Sequence, residues 1–164
     1  MNLSLVIPNI IDPALGYLPP QMESKQAKAM LIAIGLQESK FEHRRQIGGP
    51  ARGYWQFEQG GGCHGVLTHP ATREPIRLVL GMLDYGPEYT AADCYYAITH
   101  NDILAACFAR LLLWTLPGPL PIADEFDESW DQYLSAWRPG KPHRQTWNGY
   151  YALAWDTVEM NEAT

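Results

Sequence analysis

The chain has 164 residues, 46% of them hydrophobic and 18% charged, with a net charge of −6. That is enough apolar material for one compact domain, and the acidic balance argues against nucleic acid as a partner, since no general attraction to a phosphate backbone is on offer. The longest apolar run, residues 103–116, is broken by Arg110 and falls short of the roughly 20 residues a membrane span requires, so a buried helix and no membrane span is expected.

In chain order, residues 1–20 read as an irregular segment cut by prolines. Ser24, after the Pro19-Pro20 stop, is a good N-cap for a helix reaching about Lys40. Residues 48–65 form a glycine-dense loop with a short strand or turn expected at 54–57. Further helices are expected over about 72–84, over 90–98 after Thr90, over 101–115 behind Asn101, and over 124–137 behind Asp124. A last helix is expected over 142–160, with Pro142 in its first turn where the missing N–H does no harm. No period repeats and no linker divides the chain, so the expectation is a single all-α domain over 1–164. Cys63, Cys94 and Cys107 are too few for a disulfide framework and are read as free thiols.

Glu38 is the most informative residue. Ala27, Leu31, Ile34, Glu38 and Phe41 share one helix face, which turns a carboxylate toward the core. Desolvation there raises its pKa toward neutrality, as a general acid requires. On the residues alone the alternatives are a Glu that snorkels to water near the helix C-terminus and a structural ion pair with Arg44 or Arg45.

The neighbouring residues favour the acid. Glu38-Ser39-Lys40-Phe41, followed by Gly53-Tyr54-Trp55-Gln56, resembles the Glu-Ser-x-Phe and Gly-x-x-Gln signatures of soluble lytic transglycosylases and goose-type lysozymes. Two looser elements follow in the family's order: the Asn101-led helix with its Leu-rich half, and Tyr133-Leu-Ser-Ala-Trp137-Arg138-Pro139-Gly140, similar to the family's Ala-x-x-Tyr-Asn-x-Gly. The four elements span residues 24–142. In this alignment Trp137 and Arg138 stand where the family has Tyr and Asn, and the segment after Gln56, Phe57-Glu58 and then three glycines, departs from the family pattern. The resemblance implies a lysozyme-like helical domain with a glycine-rich cleft loop. It also implies that Glu38 is the catalytic acid/base, with Ser39 its hydrogen-bonding neighbour, Phe41 a packing anchor and Gln56 a cleft-lining group.

It further implies cleavage of the β-1,4 bond between N-acetylmuramic acid and N-acetylglucosamine in peptidoglycan. With Glu38 alone, the same residue protonates the leaving oxygen and then serves as base while the muramyl 6-hydroxyl closes a 1,6-anhydro ring. A second carboxylate across the cleft would instead activate water, the two carboxyls then standing about 6.5–9.5 Å apart. Glu58 is the leading candidate for it; Asp93 and Asp102 are weaker, since each stands where a helix N-terminus favours an acid. Tyr54, Trp55, Tyr95, Tyr96 and Trp137 flank the motifs and are expected to form the sugar-stacking wall, among 19 aromatic residues that otherwise read as core. Cys63-His64 lacks companion ligands at fitting spacing, so neither a metal nor a cofactor is expected.

Met1–Pro8 shows no basic region of a secretion signal, so synthesis in a host cytoplasm and action on the cell wall are expected. The resemblance, the small size and the missing signal suggest a bacteriophage-type protein that reaches the wall from a virion or through an opened membrane. Two other readings stay open: a virion structural or ejection protein of the same fold that meets other virion proteins, and an unrelated helical module whose Trp-rich surface binds a partner.

Overall fold

A computed structural model describes residues 1–164 as an all-helical protein. Eight α-helices follow one another: α1 (Asp12–Gly16), α2 (Lys25–Ser39), α3 (His64–Thr68), α4 (Arg73–Met82), α5 (Ala91–His100), α6 (Asp102–Trp114), α7 (Phe126–Trp137) and α8 (Arg144–Glu162). No helix is long and apolar enough to cross a membrane.

α2 is the axis of the molecule. Ser24 caps it as the sequence implies, accepting from the Ala27 amide at 3.0 Å. Residues 29 to 36 are all buried, whichever way they point, because α8 packs along one side while α6 and the N-terminal turns cover others. The single apolar stripe drawn from the sequence is therefore too narrow a description. α6 is likewise buried over most of its length, Arg110 included. All three cysteines are buried free thiols.

The N-terminal segment corrects the expectation of irregular structure. Leu3–Leu5 and Ile7–Ile11 form tight and wide helical turns that run into α1. Pro8 and Pro13 fall in first turns, where no N–H is needed. Val6, Ile7, Ile10, Ile11, Ala14 and Leu15, at helical spacing, all enter the core. The Lys28 ammonium pins this segment to α2 through Asp12 at 2.9 Å.

Elsewhere the boundaries shift by a residue or two and the caps decide where. Thr90 and Asp93 form a reciprocal capping box at the start of α5, and Asn101 accepts from the Leu104 amide at the start of α6. Asp124 is not the cap of α7; Glu125 precedes the helix and its carboxylate accepts from the Ile122 amide instead. α8 begins two residues after Pro142. The glycine-dense loop holds no strand. It closes as a tight turn over 52–57, then passes through a wide helical turn at Gln59–Cys63 directly into α3.

Near its C-terminus α2 carries Gly35, and the Phe41 ring folds back onto it. A Cβ at position 35 would stand 2.1 Å from Phe41 Cζ. Gly35→Ala is therefore expected to destabilise the protein by about 2 kcal/mol in urea unfolding, overpacking outweighing the roughly 1 kcal/mol gained in helix propensity.

Candidate active site

The end of α2 fixes the position of Glu38. Lys40 and Phe41 both adopt left-handed backbone angles, φ 55° and 54°, costly for non-glycine residues and sustained here by surrounding contacts. The Ser39 hydroxyl supplies two of these: it accepts from the Phe41 amide at 3.1 Å and donates to the Tyr54 carbonyl at 2.7 Å. The Trp55 indole N–H reaches back to the Leu31 carbonyl at 2.8 Å, and Phe41 meets the Tyr54 and Trp55 rings edge-on at 5.4 and 5.6 Å. Gly53 takes φ 74°, and a Cβ there would press on Ile98. The Glu-Ser-x-Phe and Gly-x-x-Gln segments are thus one interlocked unit.

The second support comes from α7. Tyr133 is buried and its O–H donates to Glu38 Oε1. One turn later the Trp137 indole N–H donates to the Trp55 carbonyl at 2.8 Å, tying α7 to the turn that carries Gln56. Trp147 of α8 stacks flat on the Tyr133 ring, 4.9 Å away at 4°, and donates its own N–H to Ser129 at 2.9 Å. The phenol therefore has one available orientation.

Burial pushes the Glu38 carboxyl up from 4.5 to about 7, the Tyr133 hydrogen bond opposing that rise only in part. Burial and the neighbouring carboxylate raise the Tyr133 phenol, which keeps it a donor at any working pH. The ion-pair alternative for Glu38 fails. Arg44 forms a two-pronged pair with Asp102, at 2.8 and 2.7 Å, and no basic group lies within 4.0 Å of Glu38.

Glu38 opens onto a cleft of about 1180 Å³, larger than the roughly 300–1,000 Å³ usual for small-molecule pockets. Its lining is mostly polar: Gln37, Gln46, Gln56, Glu58, the glycines 60–62, and a basic rim of Arg138, Lys141 and His143 face Tyr133 and Trp137. Such a wall suits a long polar ligand better than an apolar one.

The expected site residues divide. Glu38, Gln56, Glu58 and Trp137 line the cleft, with Glu58 exposed on its wall. Gln56 holds φ 54° and donates its amide to the Gly53 carbonyl at 2.9 Å. Ser39 is buried and positions the helix end, with no access to a ligand. Tyr54 and Trp55, expected in a sugar-stacking wall, are core residues at 3% and 0% exposure, since large rings beside the helix end are what fill the space under it. Tyr95 and Tyr96 lie outside the cleft: the Tyr95 hydroxyl donates to the Pro50 carbonyl, and Tyr96 is exposed beside His100. Asp93 caps α5 and Asp102 pairs with Arg44.

Tyr133 is the residue that motif alignment misses. The sequence pattern suggests Trp137 for the position beside the carboxyl, whereas a tyrosine one helical turn earlier on the same face reaches it. The i, i+4 spacing of the two rings was the available signal. Compared with known proteins, the chain matches no family model, and neither curated proteins nor solved structures give a significant match.

Proposed function

We propose that this protein cleaves peptidoglycan glycan strands at the β-1,4 bond between N-acetylmuramic acid and N-acetylglucosamine, in the manner of lytic transglycosylases and goose-type lysozymes, on a lysozyme-like fold. The observation that carries the reading is one carboxyl, Glu38, raised to about 7 at the floor of a large polar cleft and held by a buried tyrosine. A carboxyl so placed is protonated over a useful fraction of molecules at neutral pH and still gives up its proton readily.

Tyr133 occupies Oε1 as donor, leaving Oε2 to carry the proton and deliver it to the glycosidic oxygen. The C–O bond breaks as that proton arrives, and positive charge develops at the sugar ring. The carboxylate left on Glu38 then takes a proton from the muramyl 6-hydroxyl as that oxygen bonds to the anomeric carbon, closing the 1,6-anhydro ring. This route uses one carboxyl and consumes no water. A phage origin, with delivery to the wall from a virion or through an opened membrane, fits this activity.

Incubation with purified peptidoglycan and mass analysis of the soluble fragments tests the reading. Anhydro-ended muropeptides are expected; the absence of any soluble fragment would sink the enzymatic reading in favour of a virion component. Glu58→Gln separates the two chemistries. If the anhydro route holds, the variant keeps its product and at least about half its rate, whereas loss of a hydrated product identifies Glu58 as the base that activates water.

A further inference from the structure

At the opposite end of α2 lies a second, unrelated feature. Arg110, in the middle of the otherwise apolar α6, is 3% exposed. Its Nε donates to the Met22 carbonyl at 2.8 Å and its guanidinium lies 5.3 Å from the Trp114 ring centre. No carboxylate stands within 4.0 Å, and neither Nη nitrogen has a protein acceptor. Burial lowers the group to about 10, so it remains cationic at neutral pH. The residue as a whole is buried, and its Nη nitrogens meet solvent only through the pocket that Arg110 lines, so the charge lacks a protein partner on the one side where a ligand could reach it.

Arg110 lines a pocket of about 240 Å³ together with Ser24 and Gln26 of the α2 N-terminus, Trp114 and the Gly118–Leu120 turn. No acidic residue lines it. In the first turn of α2, Ser24 satisfies the Ala27 amide, while the Lys25 and Gln26 amides have no protein acceptor. Ser24 and Gln26, at the positive end of a 15-residue helix, thus line one cavity with a guanidinium that has no counter-ion.

We propose that this pocket is a binding site for a small oxyanion, phosphate or a carboxylate end group, held by Arg110 and the first-turn amides of α2. The fork of Nη donors matches two oxygens of such a group, and the cavity leaves room for several waters beside it. The site lies about 18 Å along the helix axis from Glu38, at 1.5 Å per residue, and is independent of the chemistry proposed there.

Inorganic phosphate, titrated at constant ionic strength against a chloride control, is the first probe. The expected result is saturable movement of the Arg110 Nε–H and of the Lys25 and Gln26 amides in ¹H–¹⁵N spectra. Gln26→Glu puts a carboxylate into the pocket at a position where the helix favours an acid, so the fold should be kept while phosphate affinity falls at least tenfold. Arg110→Met should abolish saturation. Acetate is the second arm: saturation by acetate alone assigns the site to a carboxylate end group. Shifts that stay linear for both anions, or saturation undiminished in Gln26→Glu, would overturn the proposal.

Discussion

Glu38→Gln is expected to remove at least about 99% of the proposed peptidoglycan-cleaving activity while making the protein more stable at alkaline pH. The first half follows from chemistry: Gln keeps the shape and still accepts from Tyr133 through its carbonyl oxygen, but has no proton to give, and a positioned general acid contributes about 10²–10⁴-fold. The second half follows from linkage. In the unfolded chain the carboxyl ionises near 4.5, and in the folded protein only near 7. A raised carboxyl favours the folded state fully below 4.5, and that advantage is lost as pH rises through 7, because the folded state must then carry a desolvated charge. Between pH 4 and pH 9 the loss approaches about 3 kcal/mol as an upper bound, at 1.36 kcal/mol per unit. Gln escapes it. Urea unfolding of both proteins should therefore give matching stabilities near pH 4 and a more stable variant at pH 9. Equal stability of the two at both pH values would mean that Glu38 is well solvated, and with that the physical basis for its role as acid would go.

That pair of readouts also shows what a sequence can reveal about such a site. Glu38 was legible because a carboxyl at a helix end amid Ala, Leu and Ile contradicts its surroundings, and the neighbouring Ser39, Phe41 and Gln56 gave the contradiction a pattern. Residues 29–36 of the helix are buried on every side, so an apolar stripe describes only part of the surroundings of Glu38. Helix starts at Ser24, Thr90 and Asn101 were legible because each cap is a local interaction between a side chain and an amide two or three residues on. The Tyr54 and Trp55 roles were not. Whether a ring stacks on a sugar or fills space under a helix depends on which side of the turn faces the core, and that is fixed by Ser39, Trp55 and Trp137 bonding to backbone far away in sequence. The first 20 residues misled for a different reason. Proline breaks a helix interior but is harmless in a first turn, which is where Pro8 and Pro13 both fall.

Tyr133→Phe is the second large effect expected, and it separates a positioning residue from mere packing. Phe keeps the flat stack on Trp147 at 4.9 Å and loses only the O–H that donates to Glu38. That bond favours the charged carboxylate, so its loss moves the Glu38 pKa further up from about 7. Tyr133 can donate to the neutral acid as well, so the rise reflects the difference between a hydrogen bond to a charged group, about 1.5–3 kcal/mol, and one to a neutral group, about 0.5–1.5 kcal/mol, which is roughly 1 unit. Since the acid must be protonated to act, the alkaline limb of the pH–rate profile should move upward by the same amount. The maximum rate should nonetheless fall roughly 10- to 100-fold, because the carboxyl, which lines the cleft, loses the contact that holds its Oε1. A residue that served only to pack the core would give a different record: lower stability, a proportional loss of rate and an unmoved limb. Trp137→Phe provides that contrast. It removes the N–H that ties α7 to the Trp55 carbonyl without touching Glu38, and should lower the rate with the alkaline limb still near pH 7. If the limbs of both variants coincide with that of the wild type, the Tyr133 hydrogen bond does not tune the acid, and the arrangement of phenol and carboxyl is a feature of packing alone.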